Sequence, residues 1–173
     1  MALKAIIFDV DGTLANTEHD GHLQAFNEAF DFFGLDWYWD SELYGDLLSV
    51  TGGKERIAHF IKEYHPKLTK TLTGNDIAEI HRKKTDIFVS RIADGLISLR
   101  TGVERLINDA LGNNLRLAIA TTTSYENVKA ILDSGLGDNA LNDFEIIAAG
   151  DIVKNKKPSP EIYNYVLEKM NLK

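Results

Sequence analysis

Two carboxylates and a glycine follow a short apolar run at the start of the chain. Residues 3–8 (LKAIIF) are nearly all apolar, and Asp9, Asp11 and Gly12 come directly after them. Such a run predicts a strand buried on both faces, as in a parallel sheet. Two carboxylates at a strand end can face one crevice, and because like charges repel, a cation is expected beside them. Oxygen ligands suit Mg²⁺. An Asx-type turn without function is the alternative.

The elements that must position these carboxylates alternate along the second half of the chain. Helical patterns occur near residues 103–111, around residues 128–132 and from residue 159, and strand patterns at residues 115–120 and 144–148. This alternation predicts an α/β fold with a Rossmann-like parallel sheet. In such a sheet the ligand lies at the carboxyl ends of the strands, where Asp9, Asp11 and Thr121 are expected.

A helical block separates the first strand from the rest. Apolar residues recur at helical spacing from residue 17 onward, Gly34 is expected to end one helix, and residues 73–76 (TGND) resemble a capping box. We therefore predict an inserted helical cap at residues 17–94 and a core formed by residues 1–16 and 95–173. Trp37 and Trp39 are expected to pack the cap, and the basic run at residues 81–84 is expected to be a solvated helix face.

Composition excludes several classes of protein. Hydrophobic residues make up 44% of the chain and charged residues 26%, which is ordinary for a globular protein. Cysteine is absent, so disulfides and thiolate metal sites are excluded. The net charge of -7 argues against nucleic acid as a partner. No apolar run is long enough to span a membrane. We expect a cytoplasmic protein, or one of the plastid stroma if the source is a photosynthetic eukaryote.

The motifs resemble those of a known superfamily. Residues 8–14 (FDVDGTL) resemble the first signature of the haloacid dehalogenase (HAD) superfamily, and Thr121 resembles its second motif. Lys157, in residues 157–163 (KPSPEIY), is similar to the third-motif lysine of the β-phosphoglucomutase-like subfamily, with Lys156 as a competitor. The segments TGGKERI, DWYWD and AAGD resemble CbbY-type phosphatases, which hydrolyse xylulose 1,5-bisphosphate; they span residues 51–57, 36–40 and 148–151.

The resemblance implies a mechanism. Asp9 attacks phosphorus and forms an aspartyl-phosphate, while Asp11 acts as general acid and then as general base. Mg²⁺ is expected on the Asp9 carboxylate and the Asp11 main-chain carbonyl. Lys157 and Thr121 are expected to hold the phosphoryl oxygens, with Thr122 and Thr123 as alternatives to Thr121.

Further residues are predicted to bind a small phosphorylated sugar. Glu18 and His22 are placed to contact sugar hydroxyls, and Arg100 to reach a phosphate. Lys54 and Arg56 are expected to hold the phosphate that is not cleaved. The main-chain N–H of Gly53, at a helix start, is a further donor for that anion.

Two other functions compete with Mg²⁺-dependent phosphatase activity. One is a β-phosphoglucomutase-like sugar phosphate mutase, and the other is a truncated, non-catalytic HAD module. The latter is considered because the fourth acidic motif of the superfamily is missing after Lys157, so the C-terminal part of the core is expected to be absent. With the full-length core present, the protein is expected to be a monomer.

Overall fold

The computed structural model describes residues 3–68 and 72–172 and contains a three-stranded parallel sheet. The strands are β1 (Ala5–Phe8), β2 (Arg116–Ala120) and β3 (Phe144–Ala148), in the order β1-β2-β3. Ile6 of β1 pairs with Leu117 of β2, and Ala120 of β2 pairs with Ala148 of β3. The predicted α/β class with a parallel sheet is confirmed. Residues 1, 2 and 173, the ends of the predicted core, lie outside the described residues.

Helices cover both faces of the central strand, β2. Successive strand residues point to opposite sides. Leu117 and Ile119 pack on one face against α5 (Val103–Gly112) and α6 (Tyr125–Leu136). Ala118 and Ala120 pack on the other face against α7 (Glu161–Lys169). Because both faces are buried, β2 is apolar without alternation, as the sequence pattern suggested.

Among the described residues, four α-helices lie between β1 and α5, and we call them the cap. After a π-helical turn at Glu18–Leu23 come α1 (Gln24–Phe32), α2 (Ser41–Leu47), α3 (Gly53–Tyr64) and α4 (Gly74–Ala93). Gly34, with φ of 65°, follows α1 as predicted, and the capping box formed by Thr73 and Asp76 is confirmed. The boundaries at residues 16/17 and 94/95 stay a prediction.

The cap has an aromatic core of its own. Phe26, Phe30, Trp37, Trp39 and Phe60 belong to one buried cluster, with the rings of Phe30 and Trp39 centred 4.9 Å apart. The predicted packing role of both tryptophans is therefore confirmed.

Helix α4 joins this cluster to the sheet. Ile80, near its start, packs in the aromatic cluster, whereas Phe88 and Ile92, near its end, pack with the residues of the sheet. Helix α4 thus extends from the aromatic cluster of the cap to the residues that pack on the sheet. Among the described residues, none of the helices has the length and hydropathy needed to cross a membrane.

Candidate active site

A cavity of about 230 Å³ lies between the carboxyl ends of β1 and β2 and the cap. Its walls contain most of the residues that the sequence singled out. They are Asp9, Asp11, Glu18, His22, Phe26, Leu48, Thr51, Gly52, Gly53, Arg56, His81, Lys84, Thr122, Thr123, Ser124, Asn127 and Lys157.

Asp9 is the first residue after β1, and its carboxylate is held in one orientation. Oδ1 of Asp9 accepts a hydrogen bond from the main-chain N–H of Val10 at 2.9 Å. The Lys157 ammonium lies 2.9 Å from the same oxygen, an ion-pair contact whose angle is not that of a hydrogen bond. Two residues separated by most of the chain are thus brought together, as the motif resemblance predicted.

Asp11 is half-buried and strongly anchored. Its Oδ1 accepts from the Thr17 hydroxyl at 2.6 Å and lies 2.8 Å from His22 Nε2. Burial by itself would raise the pKa of the Asp11 carboxyl. The nearby His22 ring and its hydrogen bond, followed by the Thr17 hydroxyl and the charge of Lys84, instead hold that pKa well below its usual range. Asp11 is therefore a carboxylate in this arrangement.

The basic run on α4 is not a solvated face, so that prediction is wrong. Lys84 is 3% exposed, and its Nζ lies 2.7 Å from His22 Nδ1. Lys84 lies one turn from both Ile80 and Phe88, which are buried, and the 3.6-residue period places it on the same inward stripe. A charged Lys84 can only donate, so Nδ1 of His22 accepts and Nε2 carries the proton toward Asp11.

Burial destabilises the charged form of Lys84. Burial lowers the pKa of its ammonium to about 7, against the opposing attraction of Asp11 and Glu18. An ammonium placed next to an anionic cavity with so low a pKa marks a functional region of the molecule.

Glu18, Tyr44 and Arg56 form a second connected group on the cap side. The Tyr44 hydroxyl donates to Glu18 Oε2 at 2.6 Å, and Arg56 Nη1 donates to the Tyr44 oxygen at 3.1 Å. Arg56 also donates to the main-chain carbonyls of Leu47 and Val50. Arg56 thus lines the cavity as predicted, while much of its guanidinium is engaged with the end of α2. The sequence reasoning missed Tyr44 because it did not detect α2.

Gly53 opens α3 directly under His81. A Cβ on Gly53 would lie 2.4 Å from His81 Nε2, so only glycine leaves room for this ring. Burial, and then the charges of Lys84 and Lys54, lower the pKa of His81 to about 3. His81 therefore enters the cavity as a neutral ring, and the sequence reasoning had left it among solvated residues.

The threonines after β2 form a relay of hydrogen bonds. Thr121 is fully buried, and its Oγ1 accepts from the main-chain N–H of Thr123 at 3.3 Å. Asn127 Nδ2 donates to the Thr123 hydroxyl at 2.8 Å. Thr122, Thr123 and Asn127 form the cavity wall. The phosphoryl-binding role of Thr121 stays a prediction, and Thr123 and Asn127 are site residues that a threonine run did not distinguish.

Two predicted binding residues are placed elsewhere. Arg100 donates to the main-chain carbonyl of Gly12, so it supports, from outside the cavity, the loop that follows Asp9. Lys54 forms an ion pair with Asp151 of the core. Both side chains have found protein partners that local sequence did not reveal.

The site offers few candidate metal ligands. Within residues 3–68 and 72–172, no three His, Cys, Asp or Glu side chains are grouped closely enough to hold a metal ion. The oxygens of Asp9 and Asp11 are the ligands that this part of the chain supplies.

Comparisons with known proteins agree with this geometry. The haloacid dehalogenase-like hydrolase family model matches residues 3–173. Protein CbbY of Cereibacter sphaeroides is 49% identical over 170 residues, which cover 98% of this chain and 72% of that protein. The CBBY-like protein of Arabidopsis thaliana is 39% identical, covering 98% of this chain and 54% of that protein.

Solved structures give the same relationship. CbbY from Rhodobacter sphaeroides in complex with phosphate superposes with a TM-score of 0.89 at 48% identity, over 99% of this chain and 74% of that one. A mutant of that protein, in complex with xylulose-(1,5)bisphosphate, also has a TM-score of 0.89, at 47% identity and the same coverage. The chain therefore belongs to the haloacid dehalogenase-like hydrolase family, and it is a phosphatase within that family.

Proposed function

We propose that this protein hydrolyses a phosphorylated sugar, with a pentulose bisphosphate such as xylulose 1,5-bisphosphate as substrate, through an aspartyl-phosphate and with Mg²⁺. The observation that carries the proposal is the convergence of Asp9, Asp11 and Lys157 on one cavity. A nucleophile, a proton-transfer group and a fixed cation are the groups that phosphoryl transfer through a covalent intermediate requires.

Asp9 is the nucleophile in this scheme. Its carboxylate forms a bond to phosphorus while the bond from phosphorus to the sugar oxygen breaks, and water then hydrolyses the acyl phosphate. Lys157 lies 2.9 Å from Asp9 Oδ1, and at this place it would balance the negative charge of the carboxylate and of the phosphoryl oxygens.

Asp11 is the proton-transfer group. Held by Thr17 and His22, with its pKa lowered, Asp11 is unprotonated but only a weak base, and it becomes a stronger base for the attacking water once these partners move away. To protonate the leaving sugar oxygen in the first step, it must first give up these two partners and gain a proton. His22 belongs to the turn that leads into the cap, so a movement of the cap that breaks its contact with Asp11 would allow Asp11 to gain a proton and then to act as a proton donor.

The residues present fit a magnesium ion. Asp9 supplies a carboxylate, and the Asp11 carboxylate is turned to Thr17 and His22, which leaves its main-chain carbonyl as the second ligand. Hard oxygen ligands of this type, completed by water and phosphate, are those that Mg²⁺ prefers. The bound ion would offset the repulsion between the carboxylates and the phosphoryl group.

Recognition of the sugar falls to the cap side of the cavity. Glu18 offers its second carboxylate oxygen to a hydroxyl group, and Arg56 and Lys84 add positive charge to the same wall. The predicted contact of His22 with the sugar requires one ring nitrogen to leave Asp11 or Lys84. The similarity to the CbbY complexed with xylulose-(1,5)bisphosphate supports a bisphosphate as the ligand.

The test is phosphate release from xylulose 1,5-bisphosphate with and without Mg²⁺. Wild type and Asp9→Asn are compared, with Asp109→Asn as a control in an exposed ion pair on α5. Turnover that requires Mg²⁺, is lost in Asp9→Asn and persists in Asp109→Asn is the expected result. Folded wild-type protein that releases no phosphate would refute the substrate assignment. Transfer of the phosphate to another position of a sugar without its release would favour the mutase alternative.

A further inference from the structure

Four charged residues of alternating sign connect the cap to the core beside the cavity. Lys54 and Glu55 lie at the start of α3, and Asp151 and Lys156 lie in the segment between β3 and α7. Lys156 Nζ is 2.6 Å from Glu55 Oε1 and 2.9 Å from Asp151 Oδ1. The second oxygen of Asp151 pairs with Lys54. We call these four residues the seam cluster.

The geometry of the seam cluster depends on glycine at the start of α3. Gly52 has φ of 99°, and a Cβ there would lie 2.7 Å from Lys156 Nζ and in contact with the Glu55 carboxylate. The lysine from the core therefore occupies the space that a side chain on residue 52 would need. Lys156 is also the most buried member, at 14% exposure, so its two ion pairs are less open to solvent than most surface pairs.

The seam cluster is also connected to the catalytic lysine. Lys156 is the neighbour of Lys157 in the chain, and the Lys157 ammonium lies 2.9 Å from Asp9 Oδ1. Fixing Lys156 against the cap therefore restricts the backbone that carries Lys157. The pKa of Asp151 is lowered to about 2 by the hydrogen bond from Lys54 and then by that from Lys156, so its carboxylate stays charged at neutral pH.

We propose that Glu55 and Asp151 are positioning residues, which hold the cap closed through Lys156 and Lys54 and thereby seat Lys157 against Asp9. Lys54 then acts at the seam, not on the uncleaved phosphate. In this scheme the cap closes at the same time as Lys157 pairs with Asp9. Closure therefore excludes bulk water and completes the site in one step. The predicted effect of these ion pairs on turnover rests on the proposed phosphatase function, whereas their predicted effect on cap closure does not.

Hydrogen exchange of the ligand-free protein tests closure without any substrate. Glu55→Gln and Asp151→Asn each remove one charge, and Glu145→Gln removes a comparable charge from the Arg116–Glu145 pair on the sheet, where both side chains are about two-fifths exposed. Because loss of a surface ion pair changes an equilibrium by up to about fivefold, we expect amide exchange at residues 53–57 and 151–157 to accelerate roughly two- to fivefold in the two seam variants. The control is expected to match wild type.

Two outcomes of this measurement would overturn the proposal. Unchanged exchange at both segments would show that the ion pairs do not hold the cap. A uniform acceleration that includes β1 and β2 would show a loss of global stability in place of local opening.

Turnover of xylulose 1,5-bisphosphate tests the coupling to Lys157. At low salt, kcat is expected to fall severalfold in Glu55→Gln and Asp151→Asn, and the difference from wild type is expected to shrink near 1 M salt, where charges are screened within about 3 Å. Accelerated exchange with an unchanged kcat would overturn the coupling. A wild type without turnover would refute the proposed function and leave the exchange result to decide on closure.

Discussion

The buried ammonium of Lys84 makes the stability of this protein depend on pH, and one substitution removes that dependence. Burial lowers the pKa of Lys84 from 10.5 to about 7, so between these values the unfolded chain binds a proton that the folded chain does not. Stability rises with pH wherever the unfolded state binds more protons. At about 1.36 kcal/mol for each pH unit, this group alone raises the free energy of unfolding by up to about 5 kcal/mol as the pH rises from 7 to 10.5.

Lys84→Met keeps the length of the side chain and removes its titration. We therefore compare the free energies of unfolding of wild type and Lys84→Met. Their difference is expected to change by several kcal/mol in favour of wild type between pH 7 and pH 10, and not to depend on pH below pH 7. Urea denaturation in metal-free buffer across this range measures it. Lys83→Met is the matched control, because Lys83 is a half-buried neighbour on the same helix. Parallel pH profiles for wild type and Lys84→Met would refute the assignment of a buried, pKa-lowered ammonium.

The same substitution is expected to lower turnover while it removes a destabilising charge. Lys84 donates to His22 Nδ1 at 2.7 Å, and loss of a hydrogen bond from a charged group costs about 1.5–3 kcal/mol. If that free energy is needed to orient His22 toward Asp11, kcat/KM falls roughly 10- to 150-fold. Unaltered kinetics in Lys84→Met would show that His22 and Asp11 hold their arrangement without it.

Three further predictions concern the cavity. Gly53→Ala is expected to raise KM severalfold with little change in Tm, because the new Cβ displaces the His81 ring, whereas Gly74→Ala, with open space around it, is expected to be neutral in steady-state kinetics. Arg56→Lys removes the guanidinium donors to the Leu47 and Val50 carbonyls and is expected to cost about 2 kcal/mol, measured by urea denaturation; a loss of turnover without any loss of stability would contradict this structural role. Chelation of Mg²⁺ by EDTA is expected to abolish phosphate release and added Mg²⁺ to restore it, and turnover that survives EDTA would refute a magnesium site at Asp9 and Asp11.

The features predicted correctly are those that neighbouring residues decide. The apolar run before Asp9 is a strand, although only Phe8 is buried because β1 lies at the edge of the described sheet, and the Thr73 to Asp76 capping box is formed by side chains three residues apart. Helix α2 was missed because its seven residues (SELYGDL) are too few to show a clear apolar period, and Tyr44 was missed with it. The outcome for the basic run has a different cause: the period through Ile80 and Phe88 places residue 84 on the inward face, but the sequence does not show that His22 would be there to accept from a lysine.

The sequence by itself determined the polar loop after the first strand, the alternation of helices and strands from residue 103 onward, and the aromatic packing of the cap. Each of these depends on the period of apolar residues or on a motif of a few adjacent residues. Only the tertiary structure decided which partners the charged side chains contact. Lys84 turns inward to His22, Arg56 to the end of α2, and Lys54 to Asp151. The physical reason is that the energy of a charge depends on its burial and on its partner, and these partners come from segments far away in the chain.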